Sequence, residues 1–331
     1  MTKIELAIKF GSNEIIVYRK GFGIIAKVPA YLAVVKDEKK VKIKATGKTA
    51  EKFLHSNPEN VEVVCPIKDS TIVDEKMATA LISEVLKTII EDKFMLSQIT
   101  ALVAVPSTLE EKQLITIKRV LMASGVNKVE FVFNSVCARE LIDIDPHSHL
   151  MVVDIGKFLT DISVLNEFNF NFGRTYFVGG VDMDKSVETF VRDNHGLEIS
   201  ARTSEQIKNE VASLYERDLN KTEYAGFDEN KKLVKHSITA NEVRVAIQGV
   251  YNRIIELVGD CVKLLNKDVA KDLYSVGILF VGGASSIPGF YEYFKKHFDY
   301  PILLTDAPSD AVILGAGKLL GAQKEFMKFK V

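Results

Sequence analysis

One β-hairpin pattern occurs twice in the sequence, and this repeat limits the possible folds more than any other feature. Residues 4–17 have an apolar segment, a turn that contains Gly11 and a second apolar segment. Residues 149–165 have an apolar run, a turn at Gly156 and a segment in which apolar and polar residues alternate. Both patterns are typical of two antiparallel strands joined at a glycine-containing turn. Gly11 aligns with Gly156, and this alignment predicts a duplicated domain.

A strand, a helix and a second strand follow each hairpin, which supports the duplication. In the first half, a capping box at residues 107–110 predicts the start of a helix that ends before Gly125. In the second half, a glycine turn and a short helix separate the two strands. The strands are predicted at residues 101–106, 129–133, 277–281 and 301–304. The predicted fold class is α/β, with two hairpin-plus-βαβ cores.

Each predicted core carries one small insertion. The first domain is predicted to contain residues 1–148 and 318–331, with an α+β insertion at about 30–75. The second domain is predicted to contain residues 149–317, with an insertion at about 200–238. Asp74 and Thr239 are predicted to cap the helices that lead from these insertions back into the cores.

Composition narrows the class of protein. The 331 residues are enough for two domains with cores of their own, and the net charge of −1 gives no overall field that would attract nucleic acid. Cys65, Cys137 and Cys261 lie in apolar surroundings without metal-ligand spacing, which is typical of buried thiols in a reducing cytoplasm. No apolar run approaches the ~20 residues of a membrane-spanning helix. The first residues have no signal-peptide pattern, so a cytoplasmic protein is expected.

Along nearly its whole length, the chain resembles the MreB family of bacterial actin homologues, within the actin and DnaK-type superfamily. The resemblance rests on Val105-Pro106-Ser107 and on residues 151–156, 179–184, 202–210 and 308–317. It implies an actin-like two-domain fold, a nucleotide held between paired hairpin turns, and assembly of the protein into a cytoskeletal filament for cell shape or motility. An actin-fold membrane adaptor of the FtsA or PilM kind is the alternative, although the position of the first insertion favours MreB. A sugar kinase relative is a third class.

The same resemblance implies which residues would contact ATP or ADP. They are Gly11, Ser12, Asn13, Gly156, Lys157, Phe158, Glu205, Lys208, Gly282, Gly283, Ala284 and Ser285. Two interpretations of the turn lysines stay open. Lys9 and Lys157 either supply positive charge to phosphates, or they pair internally with Asp154 or Asp161.

Three parts of the family's hydrolytic site are substituted. Lys9 replaces an aspartate that supports hydrated Mg²⁺, and Leu159 replaces a threonine that orients water. Phe133 and Asn134 replace the glutamates of the segment that positions the attacking water. The usual Mg²⁺ site and efficient hydrolysis are therefore not expected. The alternative is a misaligned turn, with catalysis by Glu14, Glu140 or Thr160.

An apolar segment, Phe94-Met95-Leu96, falls where a polar loop would be usual. MreB-like proteins use a hydrophobic loop here to touch the membrane, and the basic and apolar tail at 324–331 has the composition of an interfacial anchor. Internal packing or a protein contact is the alternative for the loop, and plain disorder for the tail. The expected partners are a polymer of the chain itself, an active MreB paralogue and the inner face of the membrane.

His147 and His149 are interpreted as loop residues and not as a metal site.

Overall fold

The structure, a computed structural model, describes residues 2–11, 14–37, 40–56, 60–68, 70–90 and 97–320. It contains two compact units. The first contains the described residues up to Asp143, residues 167–170 and those from Ala311 onward, and the second contains Ile144–Asn166 and Asn171–Asp310. Residues 311–317 thus belong to the first unit, whereas the sequence analysis assigned them to the second domain. The predicted bounds of the domains otherwise stay a prediction.

The first unit is built on a five-stranded sheet in the order β10-β9-β1-β2-β3. Strand β1 is antiparallel to β2 and parallel to β9, which is parallel to β10. Its strands and helices are β1 (Thr2–Phe10), β2 (Glu14–Arg19), β3 (Gly23–Pro29), β4 (Leu32–Asp37), β5 (Lys40–Thr46), α1 (Gly47–Ser56), β6 (Val61–Val64), β7 (Ile67–Lys68), β8 (Thr71–Ile72), α2 (Glu75–Ile90), β9 (Ser97–Val105), α3 (Glu111–Ala123), β10 (Lys128–Phe133) and α4 (Asn134–Arg139). A small sheet in the order β5-β4-β6 packs against α1 and forms the predicted insertion.

The second unit is built on a five-stranded sheet in the order β13-β12-β11-β16-β17. Strand β11 is antiparallel to β12 and parallel to β16, which is parallel to β17. The remaining elements of the chain are β11 (Leu150–Ile155), β12 (Thr160–Leu165), β13 (Phe170–Tyr176), α5 (Gly180–His195), α6 (Ala201–Val211), β14 (Lys221–Phe227), β15 (Leu233–Thr239), α7 (Ala240–Lys263), α8 (Lys267–Val276), β16 (Ile278–Val281), α9 (Phe290–Lys295), β17 (Ile302–Leu304) and α10 (Ala311–Leu319), the last of which lies in the first unit. Short 3₁₀ turns cover Gly283–Ser286 and Pro308–Asp310.

The two hairpins have the same register, which confirms the predicted duplication. Lys9 pairs with Ile16 in the first hairpin, and Asp154 pairs with Asp161 in the second. The turns also share one hydrogen bond. The N–H of Gly11 donates to the Glu14 carbonyl at 2.8 Å, and the N–H of Gly156 donates to the Leu159 carbonyl at 2.8 Å.

Two predicted helix starts are confirmed at atomic detail. The Asp74 carboxylate accepts from the N–H of Met77 at 2.9 Å, at the start of α2. At α7, the Thr239 hydroxyl accepts from the N–H of Glu242, and the Glu242 carboxylate accepts from the N–H of Thr239. Both caps satisfy N–H groups that the first helical turn leaves without partners.

The capping box predicted at residues 107–110 is wrong. Helix α3 begins at Glu111, and its N-cap residue Glu110 makes no side-chain capping bond. The N–H of Leu109 instead donates to the Pro106 carbonyl at 3.3 Å, so the residues after Pro106 form a separate turn. This turn uses the chain segment that the capping pattern assigned to the helix.

Each unit has its own apolar core, and α10 closes the core of the first. A Cβ added at Gly315 would lie 1.8 Å from the Cys137 carbonyl oxygen in α4, and one added at Gly317 would lie 2.6 Å from the Tyr18 ring in β2. The small residues of α10 therefore permit its close approach to α4 and to the first hairpin. In the part of the chain that the structure describes, no helix combines the length and the apolar character needed to cross a membrane.

Candidate functional site

A four-residue turn, Gly156-Lys157-Phe158-Leu159, joins β11 to β12 in the second unit. The N–H of Gly156 closes the turn. The N–H groups of Lys157, Phe158 and Leu159 donate no hydrogen bond to any residue that the structure describes. Successive backbone N–H groups that are left over in a turn form a concavity that binds anions. The turn therefore keeps donors for phosphate oxygens although two of its residues carry large side chains.

The start of α5 anchors this turn from behind. The N–H of Gly180 donates to the Gly156 carbonyl at 3.0 Å, and the N–H of Val181 donates to the Lys157 carbonyl at 2.7 Å. A Cβ added at Gly179 would lie 2.6 Å from the Gly156 carbonyl oxygen, so a side chain there would separate the helix from the turn. Two N–H groups of the helix start are thereby satisfied, and two carbonyls of the turn are directed toward the helix.

A cavity of about 400 Å³ opens beside the turn, entirely within the second unit. This volume lies within the range of small-molecule sites in proteins. The turn, the start of α5, one face of α6 and the 3₁₀ turn after β16 form its walls. Its lining includes Gly156, Lys157, Gly180, Met183, Glu205, Lys208, Gly283, Ala284 and Ile287.

Two ion pairs set the electrostatics of the cavity. The Lys157 ammonium lies 2.6 Å from the Glu205 carboxylate, and the Lys208 ammonium lies 2.7 Å from the Asp184 carboxylate. Lys208 also donates to the Gly180 carbonyl at 3.2 Å. Burial raises the pKa of Asp184, and the hydrogen bond and charge of Lys208 oppose that shift. The Lys208–Asp184 pair is buried, whereas the Lys157–Glu205 pair is partly open to solvent.

The turn that begins at Gly282 forms another wall of the cavity. Gly282 has a φ of +91°, and a Cβ added there would lie 2.3 Å from the Ile155 carbonyl oxygen. Only glycine fits this position, for reasons of both backbone angle and space. The Tyr251 hydroxyl in α7 donates to the Ala284 carbonyl at 2.7 Å, and the Ser285 hydroxyl donates to the Val281 carbonyl at 2.9 Å. These bonds hold the turn in place.

The structure brings most of the predicted nucleotide residues of the second unit together. Six of them line the cavity: Gly156, Lys157, Glu205, Lys208, Gly283 and Ala284. Phe158, Gly282 and Ser285 adjoin them in the chain. Gly11 lies in the first unit at the end of β1, and Ser12 and Asn13 lie outside the described residues.

The sequence analysis did not identify Gly179, Gly180 and Asp184 as site residues. Gly179 and Gly180 fix the turn, and Asp184 is the partner of Lys208. All three lie in the segment 179–184 that carried part of the family resemblance. Their spacing was the available signal, because Gly180 and Asp184 lie one helical turn apart on the same face of a helix.

The internal ion pair expected for Lys157 is present, but the predicted partner is wrong. Lys157 pairs with Glu205 and not with Asp154 or Asp161. Asp161 accepts hydrogen bonds from the hydroxyls of Thr175, at 2.6 Å, and Ser163, at 3.3 Å. The side chain of Lys157 instead reaches α6, which no local pattern in the sequence indicated.

The residues at the hairpins fit a magnesium ion poorly. Mg²⁺ is usually held by one or two carboxylates together with phosphates and water. In the second hairpin both Asp161 oxygens already accept hydrogen bonds, and the buried Asp154 has an interaction of its own. At the equivalent position the first hairpin has Lys9. Among the described residues, no group of three or more His, Cys, Asp or Glu side chains could hold a metal ion.

The substituted catalytic positions lie in ordered backbone. Phe133 ends β10, and Asn134 is a buried residue at the start of α4. Thr160, an alternative catalytic residue, is fully buried and donates its hydroxyl to the Val178 carbonyl at 2.8 Å. Its hydroxyl is therefore not available to orient an attacking water.

The two histidines of the predicted loop lie away from the cavity. His149 pairs through Nδ1 with Asp272 of α8 at 2.7 Å, and the His147 carbonyl accepts from the Asn166 amide at 3.3 Å. The hydrogen bond from His149 is the main cause of a lowered pKa of Asp272. These contacts fasten the start of β11 to α8.

Solved structures define the class of the fold. The chain matches MreB5 of Spiroplasma citri bound to ADP with a TM-score of 0.86 at 21% identity, over 96% of both chains. It matches the MamK double helical filament with a TM-score of 0.78 at 17% identity, over 96% of this chain and 98% of that one. The predicted actin-like fold is confirmed.

The sequence model described as MreB/Mbl protein matches residues 3–328, and the chain belongs to this family. The cell shape-determining protein MreB of Escherichia coli strain K12 is 24% identical over 323 residues, or 96% of this chain and 93% of that protein. The cell shape-determining protein Mbl of Bacillus subtilis strain 168 is 24% identical over 333 residues, or 99% and 98%. This full-length match does not favour the FtsA- or PilM-like adaptor.

Proposed function

We propose that this protein is a cytoskeletal, filament-forming protein that acts in cell shape or motility. Its curated relatives MreB and Mbl are named cell shape-determining proteins, and MamK, of similar fold, was solved as a double helical filament. The proposed location is the cytoplasm, at the inner face of the cell membrane. The proposed partners are further copies of the chain and an active paralogue of the same family.

The observation that carries the proposal is the half-site in the second unit. A turn with free N–H groups, an adjoining cavity and the charged residues Lys157, Glu205 and Lys208 suit a nucleotide with its phosphates at the turn. We propose ATP or ADP as the ligand. The related MreB5 of Spiroplasma citri was solved with ADP and with AMPPNP, which supports this choice.

We propose that the bound nucleotide is not hydrolysed efficiently. Leu159 cannot orient water, and the hydroxyl of the adjacent Thr160 is buried and occupied. Phosphoryl transfer depends on positioning and on charge neutralisation, and Lys9 and Asn134 supply neither carboxylate of the family pattern. Purified protein is expected to release phosphate from ATP no faster than Mg²⁺ buffer alone. Turnover that copurifies with the protein and disappears on Glu14→Gln or Thr160→Ala would overturn this assignment.

The test of the filament is assembly without a nucleotide switch. A head-to-tail contact that does not close produces open filaments. Assembly is therefore expected to depend on protein concentration and salt, and to differ little between buffer with ATP and buffer without it. Electron microscopy and pelleting of the purified chain provide the measurement. Strictly monomeric protein at high concentration, with and without lipid vesicles, would contradict the proposal and favour an adaptor.

We propose that Phe94, Met95 and Leu96 attach the filament to the membrane. These residues and the tail at 324–331 lie outside the described residues. Each apolar side chain contributes about 1.5–3 kcal/mol when it is fully buried, so a single copy would bind weakly. A filament repeats the loop along one face, and the resulting multivalency strengthens the attachment. The tail lysines would add salt-sensitive attraction to anionic lipid.

Replacement of Phe94, Met95 and Leu96 by serine is expected to release the protein from anionic liposomes while filaments persist in solution. A matched control replaces three exposed apolar residues of the first unit, Phe22, Ile115 and Met122, by serine. If the loop variant pellets with liposomes as wild type does, the loop is not the anchor. The tail from Lys324 would then be deleted next.

A further inference from the structure

The charge at the candidate site departs from what a metal-bound nucleotide requires. The first hairpin has Lys9 where the resemblance implies a carboxylate, and in the second hairpin both oxygens of Asp161 already accept hydrogen bonds. The polyphosphate of ATP or ADP still requires positive charge to be bound. If Mg²⁺ does not supply this positive charge, a side chain of the protein must supply it, because otherwise the negative charge of the phosphates is not balanced.

Lys157 is placed to supply that charge. Its backbone forms part of the turn whose N–H groups are free, so its ammonium group extends from the residue that would meet the phosphates. Its side chain crosses one edge of the cavity to Glu205 and is about one quarter exposed, at 26%. Lysine is flexible, and a partly solvated ion pair costs little to separate. The ammonium group is thus mobile enough to exchange one anion for another.

Lys208 is not a comparable source of charge. Its side chain is 11% exposed, and that of its partner Asp184 is 6% exposed. Separation of this buried pair would leave an uncompensated carboxylate in the protein interior, which is costly. The hydrogen bond from Lys208 to the Gly180 carbonyl also holds it against α5. The two lysines of the cavity therefore differ in role, with Lys208 fixed and Lys157 exchangeable.

We propose that Lys157 is a tethered counter-charge for the phosphates of ATP or ADP, so that this protein binds nucleotide without a divalent metal ion. The inference rests on the proposed nucleotide-binding function. In the empty protein Glu205 neutralises Lys157. When nucleotide binds, the ammonium group moves to the phosphates, and the Glu205 carboxylate accepts hydrogen bonds from ribose hydroxyls. In the empty protein, the ammonium group of Lys157 and the carboxylate of Glu205 thus neutralise each other until nucleotide binds.

Binding of ATP, ADP and AMP is measured by calorimetry in EDTA and in Mg²⁺ buffer. For wild type, the Kd of ADP is expected to differ less than about threefold between the two buffers, and AMP is expected to bind about tenfold more weakly than ADP. Lys157→Gln is expected to weaken ADP binding in EDTA by about tenfold, and Lys157→Arg to retain it. Lys263→Gln, which removes a lysine from the exposed pair with Asp260, is the matched control and is expected to change nothing.

A second measurement separates the lysine from its partner. Inorganic tripolyphosphate has no ribose, so Glu205→Gln is expected to tighten its binding in EDTA several-fold because Lys157 no longer has an internal competitor. This variant keeps the turn and the lysine, and it tests the exchange even if Lys157→Gln does not fold.

Four outcomes would overturn the inference. ADP binding that requires Mg²⁺ would overturn it and leave the proposed nucleotide site standing. Unchanged metal-free binding by a folded Lys157→Gln variant, or tripolyphosphate binding that Glu205→Gln does not tighten, would overturn the role of Lys157. A complete lack of binding in both buffers would overturn the inference and the proposed site together.

Discussion

The two sheets of this protein share a backbone plan but carry opposite charges at one equivalent position. Both have five strands, in the equivalent orders β10-β9-β1-β2-β3 and β17-β16-β11-β12-β13. Both hairpins also have the same register and the same turn hydrogen bond. Lys9 in the first hairpin corresponds to Asp154 in the second. The hydrogen-bonding pattern of the backbone fixes the fold, so a reversal of charge at a strand end leaves the sheet unchanged.

The comparison extends to the strand beside each hairpin. Lys9 pairs with Ala104 in β9, and Asp154 pairs with Val281 in β16, so Val105 and Gly282 are equivalent residues. Val105 is fully buried, whereas Gly282 has a φ of +91° and touches the Ile155 backbone. In the first half, β9 ends in a residue that packs in the core. In the second half, β16 is followed by a tight turn that borders the cavity.

The largest expected effect comes from an exchange of these two residues. Gly282→Val is expected to reduce the free energy of unfolding by roughly 3–6 kcal/mol, because overpacking adds to a strained backbone angle. Val105→Gly is expected to cost roughly 2–4 kcal/mol, through lost burial and added chain entropy. Urea unfolding of both variants measures the difference. A Gly282→Val protein as stable as wild type would mean that the second turn is not as tight as described.

A smaller effect is expected when the charge at the first hairpin is made equal to that of the second. Lys9→Asp restores the carboxylate that the family resemblance implies at this position, and carboxylates are ligands for Mg²⁺. ADP binding is expected to become Mg²⁺-dependent, with about tenfold tighter binding in Mg²⁺ buffer than in EDTA. Lys128→Asp, the same reversal at an exposed lysine of the same sheet, is the control. If Lys9→Asp binds ADP with equal affinity in both buffers, the lysine at position 9 is not the reason why binding needs no Mg²⁺.

The smallest expected effect concerns the residues at the start of the central strands β1 and β11. In the first half Ile4 pairs with Ile99, whereas the equivalent His149 contacts Asp272. The pKa of Asp272 is lowered in the folded protein, so its contribution to stability is present above the unfolded pKa of about 3.9 and is lost as pH falls through the lower folded pKa.

Asp272 is one third exposed, so solvent screening limits this contribution to a few tenths of a kcal/mol. Asp272→Asn is expected to lower the free energy of unfolding by that amount at pH 6 and to have no effect near pH 2. In a His149→Gln background the difference at pH 6 is expected to shrink to the part that the backbone N–H of residue 149 contributes through its own hydrogen bond to Asp272. A difference that stays unchanged there would assign it to another partner of Asp272.

Local sequence patterns predicted those parts of the fold that depend on neighbouring residues. The alternation and glycine of each hairpin, and the caps at Asp74 and Thr239, need only a few residues to form. The capping box at 107–110 failed because Pro106 imposes a turn on the same residues. Two local signals competed there, and local patterns alone do not show which of two signals is stronger.

The candidate site was less predictable because its contacts join distant residues. Lys157 and Glu205 are 48 residues apart, and both β12 and β13 lie in the chain between Gly156 and the start of α5. The family resemblance identified Lys157, Glu205 and Lys208 as candidates. It did not indicate that Lys157 would pair with Glu205, because no local pattern connects two residues so far apart in the chain.

The anchoring of the turn by α5 has a consequence for how this sequence can change. The helix holds residues 156 and 157 by their carbonyl groups, so the identity of the side chain at 157 is not what keeps the turn in shape. The steric demand falls on Gly179, where any side chain would collide with the Gly156 carbonyl oxygen. Lysine at 157 therefore changes the chemistry of the site while the backbone of the turn stays bonded to α5. The side chain at position 157 can therefore vary, whereas position 179 must stay glycine.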